Sequence, residues 1–331
     1  MVAQVDFRYI KTRPSKLVSR LASYALFEGR PLTTRGQWIN PFLFAHFALE
    51  KKLPQLKKVQ TPISILGTGR SGTTILGVVL SMHREVGFLN EPKAMWHAIF
   101  PEEDVIGSYS RGAAHYRLAA ADANDEVKKN AHKLFGAYLA TVFSPRLVDK
   151  YPELIFRVPF VREIFPDAKF IFLVRNGWDT CHSIDAWSSR LGESNNSEVH
   201  DWWGRDKRKW NLLLDEIVPE YNDLALHAED MRKWLNQTDM AAVEWIVTMR
   251  EGMKLIKEYP KDVLRVDYED LCCHPRKILT DIVSFANFEF DQTYLNFGAH
   301  TLSAAKSVKP FELHEFIKEP FIQTMKELGY R

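Results

Sequence analysis

The chain has 331 residues, 46% of them hydrophobic and 26% charged, which supports a sizeable core and excludes disordered and fibrous architectures. Lysine and arginine total 44 against 42 aspartates and glutamates, and a net charge of +2 argues against general nucleic-acid binding. Three cysteines, two of them adjacent at Cys272 and Cys273, cannot frame disulfides, so the expected compartment is reducing and cytoplasmic.

In chain order, residues 1–60 read as a helical N-terminal extension. Arg8, Lys11, Arg13, Lys16 and Arg20 recur among its apolar residues, which does not fit a secretory signal. Leu17, Val18, Leu21, Tyr24 and Ala25 fall at helical spacing. The expected arrangement is a helix packed on its own domain. The alternative is peripheral contact of a basic amphipathic helix with a membrane. Residues 61–66 form a short apolar run that breaks into a glycine-rich turn, and a helix is expected from Thr73 to Met82. Long helical patterns cover 125–143 and 239–257. A second buried strand is expected at 169–174, leading through Arg175-Asn176-Gly177 into a helix from about Trp178. A third is expected at Val263 to Val266, followed by a helix from Pro275 to Phe285. Strands alternating with helices predict an α/β fold, a central parallel sheet flanked by helices. Trp187, Trp202, Trp203 and Trp210 crowd a segment expected to be irregular and to lie over a cleft. They suit a core, a platform for a sugar, or a membrane-facing edge.

The strongest local signal is Gly67-Thr-Gly-Arg-Ser-Gly-Thr-Thr74 between a strand and a helix. Backbone N–H groups in such a turn, with a helix N-terminus behind them, form an anion site. Ser71, Thr73 and Thr74 add hydroxyl donors and Arg70 a planar cation. A nucleoside-triphosphate loop would place lysine directly after the second glycine. Here Thr73 stands there, and the expected strands offer no terminal aspartate for Mg²⁺. Histidines do not assemble a metal motif either: Cys272-Cys273-His274 is too tight for tetrahedral coordination, and His97 and His182 are expected to be structural.

With these residues in view, the sequence resembles the sulfotransferases that use 3′-phosphoadenosine-5′-phosphosulfate (PAPS). The loop Thr68 to Thr74 is similar to their 5′-phosphosulfate loop in its arginine-bearing form, which implies cofactor contacts from Gly69, Arg70, Ser71, Gly72, Thr73 and Thr74. Phe165-Pro-Asp-Ala-Lys-Phe-Ile-Phe-Leu-Val-Arg175, with Ser183 eight positions later, resembles the family's 3′-phosphate motif. Val266-Asp-Tyr-Glu-Asp-Leu271 resembles a third segment and implies that Tyr268 lies near the nucleotide. Glu91, 21 residues after Arg70, stands close to the place of the catalytic glutamate in the tyrosylprotein enzymes. Where the small-molecule members have a histidine base, this chain has Arg157. Lys150 resembles the lysine that contacts the leaving phosphate, and Ser303 and Lys318 align with residues that close over the cofactor.

The expectation is therefore one domain over 1–331. It comprises the extension, a cofactor-binding catalytic core at 61–290, and a segment at 291–331 closing over the cofactor. The implied reaction is sulfuryl transfer from PAPS to an acceptor hydroxyl on a saccharide, glycolipid, peptide or natural-product alcohol. It leaves adenosine 3′,5′-bisphosphate, with Glu91 as base and no metal. The alternatives are a nucleotide-dependent kinase and a non-catalytic nucleotide-binding relative.

Overall fold

The computed structural model describes residues 2–195, 198–303 and 307–330. Three helices precede the sheet: α1 (Phe7–Thr12), α2 (Pro14–Leu26) and α3 (Asn40–Glu50). The core then alternates: β1 (Ile63–Gly67), α4 (Thr73–Ser81), β2 (Val86–Asn90), α5 (Lys93–Ile99), α6 (Asp125–Thr141), β3 (Arg146–Lys150), α7 (Val158–Ile164), β4 (Lys169–Val174) and α8 (Gly177–Leu191). A small excursion follows, with β5 (Glu193–Asn195), β6 (Glu198–Asp201) and β7 (Gly204–Arg205), then α9 (Arg208–Leu212), α10 (Asn222–Ala225) and α11 (Ala228–Met231). The chain ends with α12 (Gln237–Glu258), β8 (Val263–Asp267), α13 (Tyr268–Cys273), α14 (Pro275–Ala286), α15 (Gln292–Thr301) and α16 (Glu315–Leu328).

Five strands form one parallel sheet in the order β2-β3-β1-β4-β8. The adjacent strands β1 and β4 are largely apolar because helices cover both faces; Ile63, Ile65, Phe170, Phe172 and Val174 are fully buried. Two hydrophobic clusters, one per face, hold the layers together. All five strands run the same way, so their carboxyl ends share one edge. In open α/β sheets that edge, near the point where strand order reverses, is where ligands bind. Here it carries the Gly67 loop, Glu91, Lys150, Arg175 and Tyr268, one from each strand.

Several expectations need correcting. β2 and β3 were not expected as strands; the first is broken in pattern by Gly87 and the second carries charges at both ends. A strand does end in aspartate, since β8 closes on Asp267, but Arg265 holds that carboxylate at 2.6 Å. The tryptophan segment is regular rather than irregular, with β5, β6 and β7 forming a small antiparallel sheet. Trp203 and Trp210 are core residues. α2 packs on its own domain as expected, but with its polar side inward: Lys16, Arg20 and Ser23 are buried. Asn236 caps α12 through its side chain, which accepts from the Thr238 and Asp239 N–H groups.

Candidate active site

β1 ends at Gly67, whose backbone enters a turn that a side chain would not tolerate. Arg70 also adopts a left-handed backbone (φ 68°), and Gly72 (φ 98°) starts α4. A Cβ on Gly72 would meet the Tyr268 ring at 2.4 Å, so glycine is required there on two counts. The turn is braced internally. The Ser71 hydroxyl donates to the Thr68 carbonyl at 2.6 Å and its N–H donates to the same oxygen. Ser71 is fully buried, so the expectation that its hydroxyl faces the ligand is corrected; the bond closes the loop.

A cavity of about 390 Å³ opens over this edge, and Gly69, Arg70, Gly72, Thr73, Thr74, Glu91, Lys150, Arg175 and Ser183 line it. Arg70 Nε donates to Ser183 Oγ at 3.2 Å, and Arg175 Nη1 donates to the Arg70 carbonyl at 2.9 Å. Arg175 also lies over the Tyr268 ring, 4.7 Å from its centre. Tyr268 therefore supports the loop and Arg175 from behind and does not line the cavity. Among the described residues neither arginine is paired with a carboxylate. Burial lowers the Arg70 pKa, and the nearby charges of Arg190 and Arg175 lower it further. Arg175 Nε and Thr68 Oγ1 are buried with no hydrogen-bond partner among the described residues. Crowded, unpaired cations beside orphaned polar atoms, at a glycine turn and the start of a nine-residue helix, are the surroundings an anion needs.

The opposite wall is charged but compensated. Lys150, 2% exposed at the end of β3, donates through Nζ to Glu91 Oε1. Glu91 Oε2 lies 3.5 Å from Lys93, which bonds Glu153 at 3.1 Å. Lys209 lies 3.9 Å from Glu153 and 2.5 Å from Glu244, and Trp202 Nε1 donates to Glu244 at 2.7 Å. All of these residues line the cavity. Burial would raise the Glu91 carboxyl, but Lys150 and Lys93 outweigh it and hold it at about 2. Glu91 has a left-handed backbone too (φ 52°), fixed where its N–H donates to the Lys150 carbonyl at 2.7 Å. Strained backbone at both Arg70 and Glu91 persists because the surroundings over-determine it, a pattern that clusters at functional sites.

Sequence reasoning missed most of this wall. Lys93, Glu153, Lys209 and Glu244 come from four separate parts of the chain, and no local spacing joins them. Pro31, Thr33 and Thr34 of the α2–α3 connection also line the cavity. Trp187 and Trp202 were flagged as aromatics of undecided role; both line the cavity, edge to face at 5.3 Å, and Trp202 rests on Gly69. Two expected cofactor residues are corrected: Ser303 and Lys318 are exposed, and no described residue after Thr248 lines the cavity. α16 packs instead against α12 through Phe321, whose ring is 4.9 Å from that of Trp245. Arg157 is also structural, fully buried and bonded to Glu103 and to three backbone carbonyls. Among the described residues no group of three or more His, Cys, Asp or Glu side chains is arranged to hold a metal ion.

The sheet order, the loop and the strand-end residues define an α/β protein with a P-loop-like anion site. Residues 62–218 match the model of the sulfotransferase family. Protein-tyrosine sulfotransferase A of Caenorhabditis elegans is 24% identical over 266 residues, 77% of this chain and 60% of that protein. The protein-tyrosine sulfotransferase of Drosophila melanogaster is 28% identical over 195 residues, 54% of this chain and 38% of its own length. The chain thus spans less than two thirds of the length of these relatives. Among solved structures, the sulfotransferase domain from the curacin biosynthetic pathway superposes with a TM-score of 0.50 at 15% identity, covering 83% of this chain and 99% of that domain. This likeness supports the fold.

Proposed function

We propose that the chain is a PAPS-dependent sulfotransferase acting on an acceptor hydroxyl, of a saccharide, glycolipid, peptide or natural-product alcohol, as a single domain in the cytoplasm. The observation that carries the reading is the pair Arg70 and Arg175, uncompensated at the glycine turn and facing Glu91 and Lys150 across the cavity. PAPS would supply the sulfuryl group. Gly69, Gly72, Thr73 and Thr74 with Arg70 would hold its 5′ end, and Arg175 with Ser183 its 3′-phosphate; the orphaned Arg175 Nε fits that assignment.

Sulfuryl transfer resembles phosphoryl transfer, in which the protein's contribution is positioning and charge stabilisation. Glu91 accepts the acceptor proton. It is ionised at any working pH, because Lys150 and Lys93 keep its carboxyl at about 2. A carboxylate so strongly paired is a weak base. As Lys150 turns its ammonium toward a bound anion, one of the charges that depress Glu91 is withdrawn and its basicity rises. Lys150 and Arg70 then stabilise negative charge developing beside the loop. Trp187 and Trp202 offer apolar faces to the acceptor. The two cations do the work a metal performs in kinases, so turnover needs none.

Calorimetry with adenosine 3′,5′-bisphosphate and 5′-AMP tests the nucleotide assignment. The bisphosphate should bind more than tenfold tighter, since a charge-assisted contact is worth about 1.5–3 kcal/mol. Equal affinities would sink it. Labelled PAPS incubated with a cell extract should yield a labelled acceptor, with or without excess chelator. Chelation that abolishes turnover, restored by Mg²⁺, would favour the kinase, and tight nucleotide binding without any labelled product would favour a non-catalytic relative.

A further inference from the structure

The N-terminal helices wear their apolar side outward. Among the described residues 16 large apolar side chains are exposed, and ten of them fall between Phe7 and Leu56, so the concentration is regional and not the ordinary scatter of a protein surface. On α1 and α2 these are Phe7, Ile10, Val18, Leu21 and Leu26, with Val18 71% exposed. Phe7 and Ile10 stand three residues apart on α1, and Val18 and Leu21 three apart on α2, so each pair shares one side of its helix. The polar groups of α2 are used inward: Lys16 bonds the Arg84 and Val86 carbonyls, Arg20 bonds Glu28, and Ser23 bonds Tyr138. Trp38, in the turn just before α3, and Phe42 and Leu49 on α3 continue the pattern, and Leu53 and Leu56 follow it. The two helices meet where Phe27 packs on His46 and Phe47.

Charge identifies what covers this surface. Residues 1–60 carry 11 lysines and arginines against 3 acidic residues, whereas the remaining chain carries 33 against 39. Arg8, Lys11, Arg35, Lys52 and Lys58 of this region are exposed, and Asp6 is its one exposed carboxylate. Exposed leucine, phenylalanine and tryptophan rimmed by cations suit the interface of an anionic bilayer, where apolar side chains enter the headgroup boundary and ammonium groups meet lipid phosphates. A second copy of the chain would oppose the same cations to one another. Among the described residues no helix is long and apolar enough to cross a membrane, so such contact is interfacial.

We propose that α1, α2 and α3 form a docking surface for an anionic lipid membrane, placing the cavity mouth, bordered by Pro31, Thr33 and Thr34, beside the bilayer. The proposal does not depend on the reaction assigned above. The test is flotation of the full chain with phosphatidylcholine vesicles and with vesicles that also contain phosphatidylglycerol, together with light scattering. The protein should float with the anionic vesicles at low salt and not with the neutral ones. Trp38→Ser with Phe42→Ser, and separately Lys52→Glu with Lys58→Glu, should each lower partitioning by about tenfold or more. Because these side chains are exposed, melting temperature and adenosine 3′,5′-bisphosphate affinity should stay unchanged in both variants. Failure of the native chain to float with anionic vesicles overturns the proposal. So does a native dimer that Trp38→Ser with Phe42→Ser converts to a monomer, which would assign the surface to a second copy.

Discussion

The two walls of the cavity handle charge in opposite ways. At the glycine turn, among the described residues, the guanidinium groups of Arg70 and Arg175 have only a hydroxyl and a carbonyl as hydrogen-bond partners. Across the cavity, Lys150, Glu91, Lys93, Glu153, Lys209 and Glu244 alternate in sign, and each cation has a carboxylate. An uncompensated cluster is costly until an anion arrives, so that wall is built to bind one. A compensated ladder costs little further energy when a neutral group docks, and it holds its members in fixed positions. On the proposed function, the difference separates donor binding from acceptor handling within one cavity.

Four measurements sharpen or break that contrast. The largest effect should come from Glu91→Gln, which keeps size and an acceptor oxygen but cannot take the proton. Turnover should fall roughly 10²–10⁴-fold, while adenosine 3′,5′-bisphosphate affinity barely moves. Near-normal turnover would remove Glu91 from the mechanism.

Next is Lys209→Met. Lys209 is 3% exposed and bonds Glu244, itself 5% exposed, so the change strands a buried carboxylate. Breaking such a pair costs about 3–5 kcal/mol, to be read as a drop in chemical-denaturation stability. Adding Glu244→Gln should recover part of the loss. If the double variant is no more stable than Lys209→Met alone, the wall is not a compensated ladder.

Arg70→Ala should weaken bisphosphate binding by about 10- to 100-fold, from the loss of roughly 1.5–3 kcal/mol, and lower turnover as well. Its folding stability should change little, because among the described residues it leaves no carboxylate unpaired. A severe loss of stability with intact binding would invert the assignment of the two walls.

The smallest effect is pH-dependent. Glu91 is held at about 2 in the folded protein, below the ordinary glutamate value of about 4.3. Its ion pairing therefore stabilises the fold fully above that ordinary value and is lost as pH falls through the folded one. Melting curves of the native chain should lose ground to those of Glu91→Gln between about pH 4.5 and pH 2. Parallel curves would show that Glu91 is not strongly paired.

How much of this was legible before folding follows from locality. β1, the glycine turn and α4 are contiguous, as are β4, Arg175 and Ser183, so pattern and turn chemistry suffice to place them. β2 and β3 escaped because their apolar runs are interrupted, by Gly87 in the first and by Arg146, Asp149 and Lys150 in the second. Lys318 lies away from the cavity because α16 is recruited by hydrophobic packing on α12, a choice no short motif encodes.

The sequence by itself determined the parallel α/β layout and the anion turn, because backbone geometry at Gly67 and Gly72 and the strand-to-helix order are set by neighbours in the chain. Only the tertiary structure decided the inner wall and the inverted face of α2. Lys93, Glu153, Lys209 and Glu244 meet only after the sheet has gathered their elements. α2 buries Lys16 and Arg20 because carbonyls and a carboxylate await them there. The physical reason is common to both. A buried charge is stable only beside its partner, and the partner's position is fixed by residues far away in sequence.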